Sequence, residues 1–128
     1  MKLLLDTHIW LWLLQDPNRL GPQTFQALQD TKNELWLSAI STWEVLTLNF
    51  KARIQLKGNL ADWLARATAG THEAPVTHEI ALLARQLPLH HDPADRILAA
   101  TAQVLDLTLV TADNRLLGLG NIKTLANR

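Results

Sequence analysis

Short apolar runs alternate with stretches of helical periodicity along this chain. The apolar runs have the length of strands and predict strands at residues 2–5, 34–37, 74–76, 107–110 and 121–125. Between them, apolar residues at helical spacing predict helices at Thr7–Gln15, from Pro22, from Ser41 to about Phe50, at Asn59–Ala69, at 78–87 and from Pro93 to about Leu105. Strands that alternate with helices are typical of βα units, so we expect an α/β fold with a mainly parallel sheet of about five strands.

The same periodicity predicts which helix faces are buried. In the second helix, the side chains expected to point inward are Phe25, Ala27 and Leu28. In the helix at Asn59–Ala69, one apolar face is expected to carry Leu60, Trp63, Leu64 and Ala67. Pro75 restricts the third strand to a sheet edge or to a strand start. Residues 51–58 are basic and irregular, and we expect them to form a surface connection.

Composition narrows the class of protein. A chain of 128 residues that is 48% apolar suits one domain, residues 1–128, with a single core. No apolar stretch approaches the roughly 20 residues that a membrane span needs. The absence of cysteine excludes disulfides and zinc–thiolate sites and is typical of a cytoplasmic protein. Because the formal net charge is zero, a polyanionic partner has to be held by a local patch.

Four carboxylates lie close to the predicted ends of strands or starts of helices. Asp6 follows the first strand, Glu44 lies near the start of the third helix, Asp95 opens the helix after Pro93, and Asp113 follows the strand at 107–110. The carboxyl ends of parallel strands meet at one edge of a sheet, where open α/β folds bind their ligands. We therefore expect a pocket of negative charge at that edge.

Each acid also has a purely structural explanation. Asp6 could N-cap the helix that begins at Thr7, and Glu44 has the spacing of a capping box. Asp92 and Asp95 could cap and complement the dipole of the next helix, and Asp113 could be a turn residue. These explanations do not predict that all four acids share one topological edge.

A cluster of carboxylates implies a bound cation, because like charges raise one another's pKa and destabilise the fold. Oxygen ligands favour Mg²⁺ or Mn²⁺ over zinc or copper. Such an ion lowers the pKa of water and offsets charge on a phosphoryl transition state. The predicted chemistry is hydrolysis of a phosphodiester.

Four segments resemble the successive motifs of the PIN domain and, more narrowly, of the VapC toxins of bacterial type II toxin–antitoxin systems: Leu3–His8, Ser38–Glu44, His91–Arg96 and Leu109–Asp113. The resemblance implies a three-layer α/β/α fold and an Mg²⁺- or Mn²⁺-dependent endoribonuclease. It also implies a cognate VapB-type antitoxin, a homodimer, an RNA substrate such as tRNA or ribosomal RNA, and a place in the bacterial cytoplasm.

The resemblance assigns roles to the acids. Asp6 and Asp95 match the firmest metal ligands of the family, Glu44 matches a ligand or a base that positions water, and Asp113 matches a ligand that acts directly or through water. Ala94 departs from the pattern, since close relatives often carry an aromatic residue there.

Four further residues match supporting positions of the family. Thr7 and Thr111 are the small hydroxyl residues beside the acids and are expected to bond water or phosphate. For Asp92 we favour the capping role over support of Asp95. For Arg96 we favour an ion pair with a carboxylate over a contact with phosphate.

Other conspicuous side chains receive less specific predictions. Core or interface packing is expected for Trp10, Trp43 and Trp63, whereas Trp12 and Trp36 suit a dimer or antitoxin interface. We expect His8 on the surface or in packing, and His90 and His91 in the loop before the helix. The best candidates for an RNA backbone patch are Lys51, Arg53 and Lys57.

Three hypotheses follow. The first is a metal-dependent ribonuclease toxin, and the second is a catalytically weak binding module that acts through an antitoxin and operator complex. The third is another Mg²⁺ enzyme, such as a phosphatase or a phosphoacceptor domain. The third fits poorly. His8 stands where such a phosphatase needs a second Asp, and Thr77 follows the third strand at the position where a phosphoacceptor domain needs its Asp.

Overall fold

A five-stranded parallel sheet forms the centre of the computed structural model, which describes residues 1–128. The strands are β1 (Lys2–Leu5), β2 (Glu34–Ser38), β3 (His72–Ala74), β4 (Thr108–Thr111) and β5 (Lys123–Ala126). Their order is β3-β2-β1-β4-β5, and every neighbouring pair is parallel. After β1, the strands β2 and β3 are added on one side of it. The chain then crosses back, and β4 and β5 lie on the other side of β1. The strand order therefore reverses between β1 and β4, which is the position where such sheets bind ligands.

Seven α-helices connect the strands: α1 (Thr7–Gln15), α2 (Pro22–Gln29), α3 (Ala39–Phe50), α4 (Leu60–Ala67), α5 (His78–Gln86), α6 (Pro93–Val104) and α7 (Asn114–Leu117). A 3-10 turn, Pro17–Arg19, follows α1. Side chains cap several helix starts, where the first N–H groups have no partner within the helix. Asn59, for example, accepts hydrogen bonds from the N–H groups of Ala61 and Asp62. None of these helices combines the length and apolar character that a membrane span requires.

Two apolar cores lie on the two faces of the sheet. Successive side chains of a strand point to opposite faces, so Leu3 and Leu5 join one core and Leu4 joins the other, all with no exposed surface. The Leu3 side is covered by α1, α2, α3 and α4, and the Leu4 side by α5, α6 and α7. This arrangement confirms the predicted three-layer α/β/α fold with its parallel five-stranded sheet.

Some element boundaries differ from the prediction. The third strand spans His72–Ala74 and not residues 74–76, because Pro75 has no N–H to donate to the sheet and ends it. The last strand ends at Ala126 and begins only at Lys123. Helix α3 starts at Ala39, where the Ser38 hydroxyl accepts from the N–H of Ile40. The segment at 51–58 is an irregular surface connection, as predicted.

Two helices expose apolar side chains that were predicted to point inward. Phe25 in α2 is 41% exposed, and the buried residues of that helix are Thr24 and Leu28. Helix α2 takes this rotation because the Thr24 hydroxyl faces the end of the sheet, where it bonds the Ala126 carbonyl and accepts from the N–H of residue 128. Leu60 in α4 is likewise 43% exposed, because it lies at the first turn of that helix.

Candidate active site

Asp6 lies at the carboxyl end of β1, the central strand, and is almost fully buried. Its Oδ2 accepts a hydrogen bond of 2.6 Å from the Thr111 hydroxyl at the end of β4. Burial raises the pKa of Asp6 above its ordinary value, while the bond from Thr111 and the nearby His8 partly oppose that rise. Although Asp6 holds the N-cap position of α1, its side chain makes no capping hydrogen bond. The capping explanation does not account for this residue.

Glu44 projects from α3 toward the same edge and is half-buried. The Thr7 hydroxyl bonds Glu44 Oε1 and lies 2.9 Å from the Ser41 hydroxyl. Because a hydroxyl has one proton and an ionised carboxylate only accepts, Thr7 donates to Glu44 and accepts from Ser41. Burial raises the pKa of Glu44, and the charges of neighbouring aspartates raise it further. Since α3 begins at Ala39, Glu44 lies inside the helix and the capping-box explanation is wrong.

Asp95 enters the pocket from the first turn of α6, with its side chain 15% exposed. Its Oδ2 lies 2.6 Å from Nε2 of His90. Burial raises the pKa of Asp95, and the contact with His90 opposes that rise. Asp92 caps the same helix, because its Oδ1 accepts from the N–H groups of Ala94 and Asp95. The capping role predicted for Asp92 is confirmed.

Asp113 differs from the other three acids. Its Oδ1 accepts from the Arg115 N–H and so caps α7, and its Oδ2 lies 3.0 Å from the Arg115 guanidinium. The same guanidinium lies 4.0 Å from Oδ2 of Asp95. Hydrogen bonds from Arg115 hold the pKa of Asp113 below its usual value. Asp113 is therefore an acid whose charge already has a counter-ion within the chain.

Arg96 forms no ion pair with a carboxylate, so the favoured interpretation of this residue is wrong. Its guanidinium donates to backbone carbonyls between the end of α5 and α6, those of Ala84, Arg85, Leu87, Leu89 and His90. The physical reason is that α5 ends at Gln86 and leaves its last carbonyls without helical partners. Arg96 thereby holds the loop that presents His90 to Asp95.

Sequence reasoning missed the roles of His90 and Arg115. The prediction that His90 lies in the loop before α6 is correct, yet its side chain turns into the acidic cluster. Ligand atoms of His90, Asp95 and Asp113 lie within 4.8 Å of one another, a spacing that suits a metal ion. The position of His90 five residues before Asp95 was visible in the sequence, but the turn of the loop that joins them was not.

The predicted acids line one pocket of about 670 Å³ at the carboxyl edge of β1 and β4. The pocket is lined by Asp6, Glu44, Asp92, Asp95 and Asp113, and by His8, Trp12, Arg19, Ala112, Asn114 and Arg115. At its rim, the guanidinium of Arg19 lies 4.6 Å from the ring centre of Trp12. The structure thus brings together all four members of the predicted acidic quartet, with Thr7 and Thr111 bonded to two of them.

The basic segment after α3 lies elsewhere. Lys51, Arg53 and Lys57 are exposed, and none of them lines the acidic pocket. Lys57 instead borders a separate cavity of about 350 Å³ with Gln15 and Arg66. The structure does not bring these lysines and arginines to the acids.

The tryptophans divide between core and surface. Trp10 and Trp63 are buried and pack against each other with ring centres 5.8 Å apart, as the packing prediction expects. Trp43 is 63% exposed and contributes nothing to either core. Trp36 stacks on His72 at the β3 side of the sheet.

Fold and site together define a class: a three-layer α/β/α protein with an acidic pocket where the order of its parallel strands reverses. The sequence model of the PIN domain matches residues 3–121. This chain therefore belongs to the PIN domain family.

Known proteins extend this likeness over nearly the whole chain. Ribonuclease VapC22 of Mycobacterium tuberculosis is 36% identical over 115 residues, which cover 88% of each protein. A chain of VapBC2 from Rickettsia felis, solved with a DNA fragment from the promoter, has the same fold with a TM-score of 0.73, 17% identity and 98% of both chains covered. A chain of a toxin–antitoxin complex from Klebsiella pneumoniae gives a TM-score of 0.69 at 22% identity, covering 98% of this chain and 97% of that one.

Proposed function

We propose that this protein is a divalent-metal-dependent endoribonuclease that acts as the toxin of a VapBC-type toxin–antitoxin pair. The observation that carries the proposal is the convergence of Asp6, Glu44 and Asp95 in one pocket, each with a raised pKa. Perturbed carboxylates in a cleft are typical of functional sites. Membership of the PIN family and the likeness to a protein named as a ribonuclease support the same activity.

The donor set fits Mg²⁺ or Mn²⁺. Asp6, Glu44 and Asp95 offer carboxylate oxygens, the ligands that hard divalent cations prefer. Their pKa values are raised largely by burial, so the ionised cluster is unfavourable unless a cation compensates it. Asp6 and Asp95 would hold the ion, while Glu44 is kept for the attacking water. The closer group of His90, Asp95 and Asp113 suits the ion less, because His90 and Arg115 already pair with its two carboxylates. A bound ion of this kind lowers the pKa of water and offsets charge on a phosphodiester transition state.

The chain's own residues prepare the reaction. Thr111 holds the Asp6 carboxylate and His90 holds that of Asp95, so both acids keep fixed orientations. Glu44 is the proton acceptor for the attacking water, because its raised pKa brings its basicity closer to neutral pH. Its orientation comes from the Thr7 hydroxyl, which is itself held by Ser41.

The proposed partners are a cognate VapB-type antitoxin, a second copy of the chain, and RNA of the tRNA or ribosomal class. Two of the similar structures come from toxin–antitoxin complexes, which supports an antitoxin. Trp43 and Phe50 lie two turns apart on one face of α3 and are 63% and 90% exposed. Exposed apolar side chains of this size suit burial against another chain. Light scattering of the purified protein should give twice the 14.4 kDa chain mass, with Phe50→Ser shifted toward one chain.

A second candidate is a catalytically weak binding module that acts through an antitoxin and operator complex. The observation in its favour is that the similar Rickettsia felis complex was solved on promoter DNA. The intact set of three desolvated acids favours catalysis, since a binding role gives them no use.

The deciding experiment is cleavage of a total tRNA and ribosomal RNA pool by the purified protein in Mg²⁺, in Mn²⁺ and in EDTA. We expect discrete fragments that require metal and that disappear with Asp6→Asn. Asp62→Asn, an exposed acid in α4 outside the pocket, is the matched control and should leave the pattern unchanged. Intact RNA in every condition, from folded protein free of antitoxin, would exclude the ribonuclease and leave the binding module.

A further inference from the structure

We infer that Arg19 and Arg115 are the phosphate-binding side chains for the RNA backbone, one from each face of the sheet. The inference rests on the proposed ribonuclease function and adds the residues that hold its substrate. Arg19 follows α1, which packs on the Leu3 side, and Arg115 belongs to α7, which packs on the Leu4 side. Both line the acidic pocket. An RNA backbone that enters the pocket from the edge of the sheet passes between them.

The charge distribution of the pocket favours such residues. The pocket holds five aspartate and glutamate side chains, and the chain as a whole has no net positive charge to attract a polyanion. A divalent cation in the pocket offsets only part of this negative charge, and cationic side chains at the rim weaken the repulsion that remains between the acids and the phosphates. Only Arg19 and Arg115 among the lysines and arginines line this pocket.

The guanidinium of Arg19 is ordered and has free N–H groups for a ligand. Its guanidinium lies over the ring of Trp12, at 4.6 Å from the centroid, and Trp12 in turn lies 6.0 Å from the ring of His8. The guanidinium makes no ion pair and donates no hydrogen bond within the chain, so all its N–H groups are available. Its backbone is also held, because the carbonyl of Arg19 accepts from the side chain of Asn127. Stacking on Trp12 orders the side chain before any phosphate arrives.

Arg115 is held in a different way. One edge of its guanidinium donates two hydrogen bonds to the Asp113 carboxylate, from Nε at 3.2 Å and from one terminal nitrogen at 3.0 Å. The side chain nevertheless remains 62% exposed at the mouth of the pocket, with its other terminal nitrogen uncommitted. A guanidinium whose one edge is anchored by a carboxylate can offer the opposite edge to a phosphate oxygen. Asp113 therefore acts as the positioning residue of Arg115.

The rival surface is the basic segment with Lys51, Arg53 and Lys57. Those side chains are exposed, lie outside the pocket and form no ion pair. Ordered cations beside the reacting centre bind a phosphate at a lower entropic cost than free lysines at a distance. The two surfaces can be distinguished in one assay, because each predicts a loss of RNA affinity in different variants.

The test measures both cleavage and binding. Cleavage of the total tRNA and ribosomal RNA pool gives kcat and KM, and anisotropy of labelled total tRNA in EDTA gives Kd at several salt concentrations. The variants are Arg19→Gln and Arg115→Gln, with Arg19→Lys and Arg115→Lys to keep the charge. Arg53→Gln represents the rival surface. Arg85→Gln is the matched control, because Arg85 is an exposed arginine of α5 outside the pocket. Far-ultraviolet circular dichroism establishes that each variant is folded.

For each glutamine variant we expect KM and Kd to rise roughly tenfold, the loss expected for one charged hydrogen-bonded contact, with kcat retained for Arg19→Gln. The slope of log Kd against log salt should fall by about 0.7 per lost phosphate contact. The lysine variants should keep the slope and recover part of the affinity, and Arg85→Gln should match the unchanged protein.

Three results would be failures that can be distinguished from one another. If the unchanged protein cuts RNA but Arg19→Gln and Arg115→Gln keep its KM, Kd and salt slope, the inference is overturned while the ribonuclease stands. A loss confined to Arg53→Gln would overturn it in favour of the segment at 51–58. If the unchanged protein neither cuts nor binds RNA, the proposed function itself fails.

Discussion

Asp6 follows β1 and Asp113 follows its neighbour β4, yet the pKa values of these two aspartates are shifted in opposite directions. Asp6 is buried, its hydrogen-bond donor is the neutral Thr111 hydroxyl, and its pKa is raised. Asp113 is paired with Arg115, and its pKa is lowered. Desolvation without a counter-ion leaves Asp6 poised for an external cation, whereas Asp113 already has an internal one. Under the proposed function, this difference gives the pocket a metal-binding half around Asp6 and a substrate-binding half around Arg115.

The largest expected effect is on the rate of RNA cleavage, which tests whether Asp113 has the same role as the acids without a counter-ion. Glu44→Gln removes the proposed proton acceptor with little change in shape, and cleavage of the RNA pool should slow by about 10²- to 10⁴-fold. Asp113→Asn should slow it far less, by about tenfold, because that acid acts through Arg115. Single-turnover rates at saturating protein measure both variants. Equal losses would mean that Asp113 is a full member of the metal-binding half.

Removal of His90 should have the next largest effect. His90 orients Asp95 through a contact of 2.6 Å, and loss of such a supporting partner typically weakens metal affinity by about 10- to 100-fold. Isothermal titration of His90→Asn with Mn²⁺ measures this loss. His91→Asn provides the control, because His91 is exposed and lines no part of the pocket. Unchanged Mn²⁺ affinity in His90→Asn would show that Asp95 needs no such support.

A stability measurement sharpens the comparison without any substrate. Because the pKa of Asp6 is raised in the folded state, ionised Asp6 opposes folding at pH values above that raised pKa. In EDTA at neutral pH, Asp6→Asn should therefore raise Tm by a few degrees, the shift that about 1 kcal/mol produces in a domain of this size. The gain should shrink as the pH falls from the raised pKa toward the ordinary aspartate pKa, because the folded protein then holds Asp6 in its neutral, protonated form. A thermal melt in which Asp6→Asn lowers Tm at neutral pH would contradict the assignment.

The smallest effect has the opposite sign. The pKa of Asp113 is lowered in the folded state, so its ionised form favours folding above the ordinary aspartate pKa, and that contribution is lost as the pH falls through the lowered value. Asp113→Asn should lower stability at neutral pH by at most about 1 kcal/mol, because the ion pair is exposed and screened by solvent. Urea titrations at neutral and at acid pH measure the difference, which should disappear at acid pH.

The sequence was sufficient to predict the sheet and the meeting of the acids. Strands such as Leu3–Leu5 and Leu107–Val110 have strong apolar patterns, and parallel strands present their carboxyl ends at a common edge. Because both acids follow predicted strands, the sequence brings Asp6 and Asp113 to one edge, although more than a hundred residues separate them in the chain.

Side-chain partners and short elements were harder to predict. The contacts of Arg96 depend on how a loop folds back on its own carbonyls, and no periodicity encodes such a turn. Phe25 was assigned to the wrong face because contacts of Thr24 with distant residues set the rotation of α2. The third strand has only three residues, too few for a pattern to locate it.

The strand order has a consequence for synthesis on the ribosome. The central strand β1 is translated before its neighbour β4, and two strands and six α-helices lie between them in the chain. The hydrogen bond from Thr111 to Asp6 joins residues 105 positions apart. Contacts of such long range form late in folding. A nascent chain that ends before β4 therefore contains Asp6 without the strand that completes its pocket, and the proposed nuclease becomes active only after β4 has been made.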